Sequence, residues 1–313
     1  MPPHKWKPIK RKVGTYKPMT VCIAGICDHP LAPKIVFCAD RLVTNQDGLT
    51  FEQGRPKIDL IRDNCLVMNA GRAAEADMII FAVRAKLKEE PEKNHSIAQI
   101  AEMFSQEHKQ EKLIAIEEDI LTPRGMNLNS FYAGIKNLPD WLAFAIDRQI
   151  QEYDFGVEFL VLGFDFTDDG HETYYEPYLY HIDRNGKLQP LNSVGFGIIG
   201  IGNVMSLPEM TRNTYKTNMT FSEALVRVFW AKKSAERVVS VGTETTDLGL
   251  LWVEVDGSGK VEARNTLVED EFKKQLLEGY RDQTIKMNQT TAEIEQNVSR
   301  ILAGEQKVPD KAT

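Results

Sequence analysis

Apolar and polar positions divide the first part of the chain into strands joined by short turns. Continuous apolar runs rich in β-branched residues, at 20–27 (TVCIAGIC), 34–40 (KIVFCAD) and 65–71 (CLVMNAG), predict buried strands. The run at 57–61 (KIDLI) precedes the third of these across a short polar turn. The four segments therefore predict two hairpins. Residues 43–56 lack a clear period, and we expect a loop there.

A block of helices follows these strands. Residues 72–87 combine strong helix propensity with apolar positions at helical spacing. Residues 96–121 place four apolar side chains on one face, and the sequence TPRG at 122–125 ends that helix. A shorter helix is expected at 138–153.

The second half of the chain repeats this order. Apolar runs at 158–165, 174–183 and 187–191 predict strands, and the last two flank Asn185-Gly186, a strong hairpin signal. The glycine-rich segment 194–203 opens a helix near 203–216.

The chain then returns to a helix and a hairpin. The segment Thr220-Phe221-Ser222-Glu223 is a capping box that begins the next helix. Residues 248–255 and 260–264 form a last hairpin.

Blocks of strands that alternate with blocks of helices are typical of α+β proteins. We expect a four-layer αββα sandwich, in which two antiparallel sheets are each covered by a pair of helices. We assign 19–267 to this domain, 1–18 to a basic, disordered N-terminal extension, and 268–313 to a charged, helical appendage that offers a surface to a partner.

Composition narrows the possible functions. The net charge is −7, and the first 17 positions, which lie outside the expected fold, carry six basic residues and no acid. The folded part is therefore more acidic than the whole chain, which excludes the basic face that nucleic-acid binding needs. No apolar run reaches the ~18 residues of a membrane span, and no signal peptide is evident. The four cysteines lack CxxC spacing, so we expect them to be buried in the protein core. Free thiols of this kind indicate a reducing compartment, and we expect the protein to be cytoplasmic.

Several motifs, in order, resemble the proteasome β-subunit group of N-terminal nucleophile hydrolases. They are a strand opening with threonine (TVCIAG), a strand ending in Ala-Asp (IVFCADRLVT), a lysine at a strand start (RPKIDLI), an Ala-Gly turn into a helix (VMNAGRAAEAD), and the later segments VLGFDFTDDG, GIGN and TFSEALVRVFWAKKSAERV. The resemblance covers about 20–256. Small bacterial members of this group begin Met-Thr, as at Met19-Thr20.

The resemblance implies a threonine peptidase or amidase that works through an acyl-enzyme. Thr20 would be the nucleophile and its own α-amine the base. The backbone N–H of Gly71 would stabilise the oxyanion. Lys57, paired with Asp40, would favour the alkoxide and lower the pKa of the amine. This chemistry needs no metal or organic cofactor, acts on a peptide or other amide, and in this family is expected of a homo-oligomer.

Two features depart from the family pattern. Ile201 stands in Gly200-Ile201-Gly202, where active members carry a helper serine, and Thr245 or Thr246 with Asp247 could supply polar support instead. In addition, the nitrogen of Thr20 is a peptide nitrogen in the chain as written.

Three routes would expose a terminal threonine. Translation could start at Met19, the chain could cleave itself at Met19-Thr20, or the junction could be Gly14-Thr15. A one-residue shift of the strand would instead put Met19 at the nucleophile position and leave no nucleophile. The alternative function is therefore a catalytically inactive proteasome-like structural or assembly subunit.

Overall fold

The computed structural model of the protein describes residues 20–44, 50–52, 56–168, 173–212, 214–238, 241–255 and 261–302. The expected extension 1–18 lies outside them. The chain divides into two compact units, Met1–Asn265 and Thr266–Thr313, and each is described by itself.

Twelve strands occur among the described residues. They are β1 (Cys22–Cys27), β2 (Lys34–Asp40), β3 (Leu42–Thr44), β4 (Thr50–Glu52), β5 (Ile58–Arg62), β6 (Cys65–Gly71), β7 (Val157–Asp168), β8 (Thr173–Ile182), β9 (Leu188–Pro190), β10 (Phe196–Ile199), β11 (Thr246–Val255) and β12 (Val261–Leu267).

Seven α-helices accompany these strands. They are α1 (Ala73–Glu89), α2 (Ile97–Ile116), α3 (Leu128–Gly134), α4 (Asp140–Gln151), α5 (Asn203–Thr211), α6 (Phe221–Ala235) and α7 (Asp270–Leu302).

The strands form two five-stranded antiparallel sheets and one short ribbon. Sheet 1 has the order β10-β1-β2-β11-β12, and sheet 2 has the order β5-β6-β7-β8-β9. The ribbon pairs β3 with β4, inside the segment predicted to be a loop. The hairpins predicted for β1 with β2, β5 with β6, and β8 with β9 are all present.

Apolar side chains between the two sheets form the central core. Alternate residues of β7 explain how one strand serves two layers: Leu160 and Leu162 face the inter-sheet core, while Phe159 and Val161 belong to the cluster under α1 and α2. Both faces of this strand are therefore buried between Phe159 and Phe164, where its residues do not alternate between apolar and polar.

Helices cover the outer faces of both sheets, so the predicted four-layer αββα sandwich is confirmed. Helices α1 and α2 pack on sheet 2, and α6 packs on β1 and β2 of sheet 1 beside α5. The capping box predicted at Thr220 is present and begins α6. Ser96 closes a second capping box at the start of α2, which had been predicted from its apolar face alone.

Residues between α2 and β7 form a small helical layer with its own apolar cluster. Helix α2 continues as a π-helical segment, Glu117–Leu121, and a 3₁₀ turn before α3 and α4. Phe131 and Ile146 are buried in this cluster, apart from the two sheet cores. Helix α3 had not been predicted, since seven residues give little periodic signal.

The second unit contains α7, whose first turn carries Asp270 and Glu271. Acidic residues there interact favourably with the helix dipole. None of the described helices combines the length and the apolar character that a membrane crossing requires.

Candidate active site

Thr20 lies two residues before β1, the strand between β10 and β2 in sheet 1. Its side chain is buried, and its Oγ accepts a hydrogen bond from the Lys57 ammonium. Its carbonyl oxygen accepts the N–H of Gly202 at 3.3 Å. Both the side chain and the carbonyl of Thr20 are therefore held by groups distant in sequence.

Asp40 is the last residue of β2, next to β1, and it is fully buried. Its Oδ1 accepts hydrogen bonds from the N–H of Val21 and from Lys57 Nζ, each at 3.1 Å. Its Oδ2 accepts the N–H of Gly242 at 3.0 Å. Both oxygens of this buried carboxylate are satisfied, as the high cost of burying a charge requires.

Lys57 directly precedes β5 at the edge of sheet 2. It is 6% exposed, and its Nζ donates to Thr20 Oγ, Asp40 Oδ1 and the carbonyl of Leu42. An ammonium has three protons, so these three acceptors use its full donor capacity. The lysine thus links the two sheets at the point where Thr20 lies.

Gly71 ends β6, beside β5, at the same end of sheet 2 as Lys57. Its φ is +119°, and a Cβ there would lie 1.8 Å from the carbonyl oxygen of Gly156. Only glycine fits this combination of a positive φ and a close backbone approach. Thr20, Asp40 and Lys57 are joined by direct hydrogen bonds, and Gly71 lies on the adjoining strand end.

Two further backbone segments complete the surroundings of Thr20; the resemblance had pointed to the first, at 200–202, whereas the second was missed from the sequence. The turn 200–202 touches the Thr20 carbonyl, since a Cβ on Gly200 would lie 2.1 Å from that oxygen. The turn that contains Gly242 holds Asp40 from the helix side.

Lys232, on α6, supports that second turn. It is fully buried and donates to the carbonyl of Gly242 at 2.9 Å as well as to Glu236. The segment WAKKSAE gives no signal of this role, because paired lysines on a helix usually face solvent.

The polar support expected from Asp247 is directed elsewhere. The two oxygens of Asp247 bind the guanidinium of Arg41, at 2.8 Å from Nε and 2.6 Å from the terminal nitrogen. Thr246 lies opposite Asp40 in the pairing of β11 with β2. The carboxylate of Asp247 is thus committed to an ion pair rather than to Thr20.

Cys22 is the thiol nearest along the chain to Thr20, and it is not a competing nucleophile. Burial raises the pKa of the Cys22 thiol well above its usual value, although the positive charge of Lys57 acts in the opposite direction. A thiol that stays protonated is inert, because the thiolate is the reactive form. Among the described residues, no group of three His, Cys, Asp or Glu side chains is arranged to hold a metal ion.

Solved structures share this architecture. A Gly-1 mutant of Anbu from Hyphomicrobium sp. strain MC1 is 16% identical, with a TM-score of 0.54, over 86% of this chain and 96% of that one. Anbu from Yersinia bercovieri, described as an ancestral β-subunit, is 14% identical, with a TM-score of 0.55 and the same coverage. The fold is proteasome-like. No family model and no curated protein matches the chain.

Proposed function

We propose that the protein is a threonine-type N-terminal nucleophile hydrolase that cleaves peptide or other amide bonds once Thr20 is the first residue. The observation that carries the proposal is the hydrogen-bonded set of Thr20 Oγ, Lys57 Nζ and Asp40 Oδ1. A buried ammonium on a hydroxyl oxygen favours the alkoxide form, and the aspartate is the opposite charge that a buried ammonium needs as a partner.

Acylation would follow from these groups. The α-amine of Thr20 takes the Oγ proton as Oγ bonds to the substrate carbonyl carbon. The N–H of Gly71 is the proposed donor to the oxyanion. The C–N bond then breaks, the leaving amine takes the proton from the ammonium of Thr20, and an ester remains on Oγ.

Deacylation reverses the sequence with water as the nucleophile. The amine takes a proton from water as the water oxygen bonds to the ester carbon. The bond between that carbon and Oγ breaks, and Oγ regains the proton. The products are a carboxylic acid, an amine and free enzyme, so neither step needs a metal or organic cofactor.

A chain whose first codon encodes a Met directly before Thr20 provides the decisive test. Its intact mass reports whether Met is removed and the amine is free. We expect hydrolysis of fluorogenic peptide amides, and Thr20→Ala to lower the rate on the order of 10⁴-fold or to background. Thr211→Ala is the matched control, because Thr211 is an exposed helical threonine that bonds its own helix backbone.

Two outcomes would decide against this mechanism. Hydrolysis that survives Thr20→Ala unchanged shows that another group is the nucleophile. A folded chain with a verified terminal Thr20 that neither hydrolyses amides nor reacts with a hydroxyl-directed β-lactone supports the second candidate, an inactive proteasome-like subunit. The observation that favours this second candidate is Ile201, which stands where the resemblance expects a helper serine.

We further propose that the protein assembles with copies of itself. Helix α1 exposes Met78 and Phe81, and α5 exposes Val204 and Leu207, each pair at a spacing of three residues on one helix face. Exposed apolar stripes of this kind are typical of interfaces. The structural similarity to Anbu from Yersinia bercovieri, an ancestral β-subunit, supports the same proposal.

A further inference from the structure

The inner face of β7 carries one residue that does not suit an apolar layer. Leu160, Leu162 and Phe164 point into the core between the sheets, and Glu158 precedes them in the same alternation. The side chain of Glu158 is only 15% exposed. A carboxylate at such a position requires compensating contacts, because burial penalises its charge.

An imidazole, a guanidinium and one backbone donor supply that compensation. Oε1 of Glu158 lies 3.9 Å from His181 Nε2 and 3.7 Å from Arg184 Nε. Oε2 accepts the N–H of Gly200 at 3.0 Å. Burial raises the pKa of Glu158, but His181, Arg184 and the Gly200 N–H together outweigh it and lower the pKa below its usual value. The group that accepts from Gly200 is therefore an ionised carboxylate at neutral pH.

Gly200 transmits this contact to Thr20. Its φ is +87°, and a Cβ there would lie 2.1 Å from the Thr20 carbonyl oxygen and 3.4 Å from the Cβ of Ala70. The backbone of Gly200 thus rests between Thr20 and the end of β6. Two residues later, the N–H of Gly202 donates to the same carbonyl oxygen of Thr20.

The carbonyl matters more for a terminal residue than for an internal one. A first residue has no preceding peptide plane, so its backbone is restrained from the carbonyl side alone. The orientation of its Cα, and with it the directions of the amine and of Oγ, depends on how firmly that carbonyl is held.

We propose that Glu158 is a positioning residue for Thr20, which it serves by fixing the turn 200–202 through its bond to Gly200. In the resemblance, the helper serine at position 201 would help to position the terminal amine, and Ile201 has no hydroxyl for this role. Glu158 would position the same residue through the turn instead. The catalytic consequence rests on the proposed hydrolase function, whereas the effect on the turn does not. The side-chain partners of Glu158 are Gly200, His181 and Arg184, and neither Thr20 nor Gly71 is among them.

Hydrogen exchange of the turn tests the structural half without requiring any activity. We expect Glu158→Leu to increase amide exchange in peptides that cover 199–203, because the acceptor for Gly200 is lost. Glu158→Gln should retain wild-type protection, since the amide oxygen accepts the same N–H. Unchanged exchange in Glu158→Leu would overturn the proposal.

Asp165 offers a matched control on the same strand. It is a partly buried carboxylate that accepts a backbone N–H, that of Ile97 at 2.8 Å, at the start of α2. Asp165→Leu, which removes the acceptor for the N–H of Ile97, should increase exchange at the start of α2 and leave 199–203 as in the wild type. Increased exchange at 199–203 in this control would mean that the effect of Glu158 is a general loosening of β7, which contradicts the proposal.

Kinetics on the chain that begins at Thr20 test the catalytic half. We expect Glu158→Leu to lower kcat about 10- to 100-fold with KM within about twofold, because a misplaced nucleophile weakens the reaction and not substrate binding. Glu158→Gln should restore most of kcat. Wild-type kcat in a folded Glu158→Leu protein would overturn the assignment.

A second variant covers the case in which Glu158→Leu fails to fold. Glu158→Asp keeps the charge but withdraws the acceptor from Gly200 by one methylene, and it should lower kcat while the melting temperature stays close to wild type. An unchanged kcat in that variant overturns the proposal. If the wild type is itself inactive while exchange at 199–203 rises as expected, the hydrolase function fails and the structural role of Glu158 stands.

Discussion

Lys57 shows how a single side chain can define a site. Its three donors reach the nucleophile candidate Thr20, the carboxylate of Asp40 and the carbonyl of Leu42. Replacement by an apolar residue would leave the carboxylate of Asp40 buried without its cation, which is strongly unfavourable. A long side chain is needed at this position because the ammonium must reach from the start of β5 in sheet 2 to Thr20 and Asp40 in sheet 1.

Gly71 yields a prediction about backbone geometry. Gly71→Ala should destabilise the protein by about 1–3 kcal/mol or more, because the new Cβ meets the Gly156 carbonyl oxygen and the positive φ disfavours a side chain. The shift of the β6 end should also lower any hydrolytic kcat. Urea unfolding and peptide-amide assays measure the two effects.

Gly134→Ala serves as the control for that experiment, since a Cβ at Gly134 would meet no atom within 4 Å. It should leave stability unchanged or raise it slightly through better helix propensity. A Gly71→Ala protein as stable and as active as this control would show that the close approach of Gly71 to Gly156 matters for neither stability nor activity.

The site residues were predicted from the family resemblance, and the positions they occupy have a physical reason. Thr20, Asp40 and Lys57 are polar residues at the ends of apolar strands, where a side chain leaves the core and can meet partners from neighbouring strands. Gly242 and Lys232 were invisible because their roles depend on a turn that bends back onto the end of β2. No periodicity encodes that contact.

Helix α2 carries a buried histidine, His108, that affects the stability of the fold. His108 is fully buried; its Nε2 lies 3.0 Å from the carbonyl oxygen of Val157, and its ring packs edge-on against Phe155. Burial lowers the pKa of His108 below its usual value of about 6.5. The neutral ring thus donates to Val157 and anchors α2 on the first residue of β7.

This shift predicts how stability changes with pH. The unfolded chain binds a proton on His108 more readily than the folded chain, so the contribution of this residue is present above about pH 6.5 and is lost as pH falls below it. We expect the wild type to lose more unfolding free energy between pH 7.5 and 5.0 than His108→Gln, which cannot titrate. Urea unfolding at both pH values measures the difference, and equal losses in the two proteins would contradict the prediction.

Elements were predicted wherever a long periodic pattern existed and were missed wherever local composition hid them. Strand β10 lies in a glycine-rich run, and its burial comes from pairing with β1 at the edge of sheet 1. Helix α5 ends at Thr211, earlier than the expected 216, and contains Pro208. Such boundaries depend on tertiary contacts that intrinsic propensity does not report.

At the scale of the whole molecule, self-assembly is the next property to measure. We expect light scattering at micromolar concentration to give a multiple of the chain mass. Replacing Met78 and Phe81 of α1 together by glutamate should lower that mass, because two exposed apolar side chains of one helix face become charged.

Leu31→Glu is the control, since Leu31 is 92% exposed in the turn between β1 and β2 and lies far along the chain from the stripe on α1. It should leave the mass unchanged. A wild-type protein that is monomeric at these concentrations would rule out the proposed assembly.

The candidate site residues and the groups that support them lie in different halves of the chain, so they are synthesised at different times. All four candidate residues, Thr20, Asp40, Lys57 and Gly71, are synthesised within the first quarter of the chain. Further supports come much later: the turn 200–202, which Glu158 holds, contacts the Thr20 carbonyl, and Gly242 donates to Asp40. In a nascent chain the proposed nucleophile and its partners Lys57 and Asp40 would therefore exist for most of translation without these later supports, and the proposed activity would await the second half of the chain.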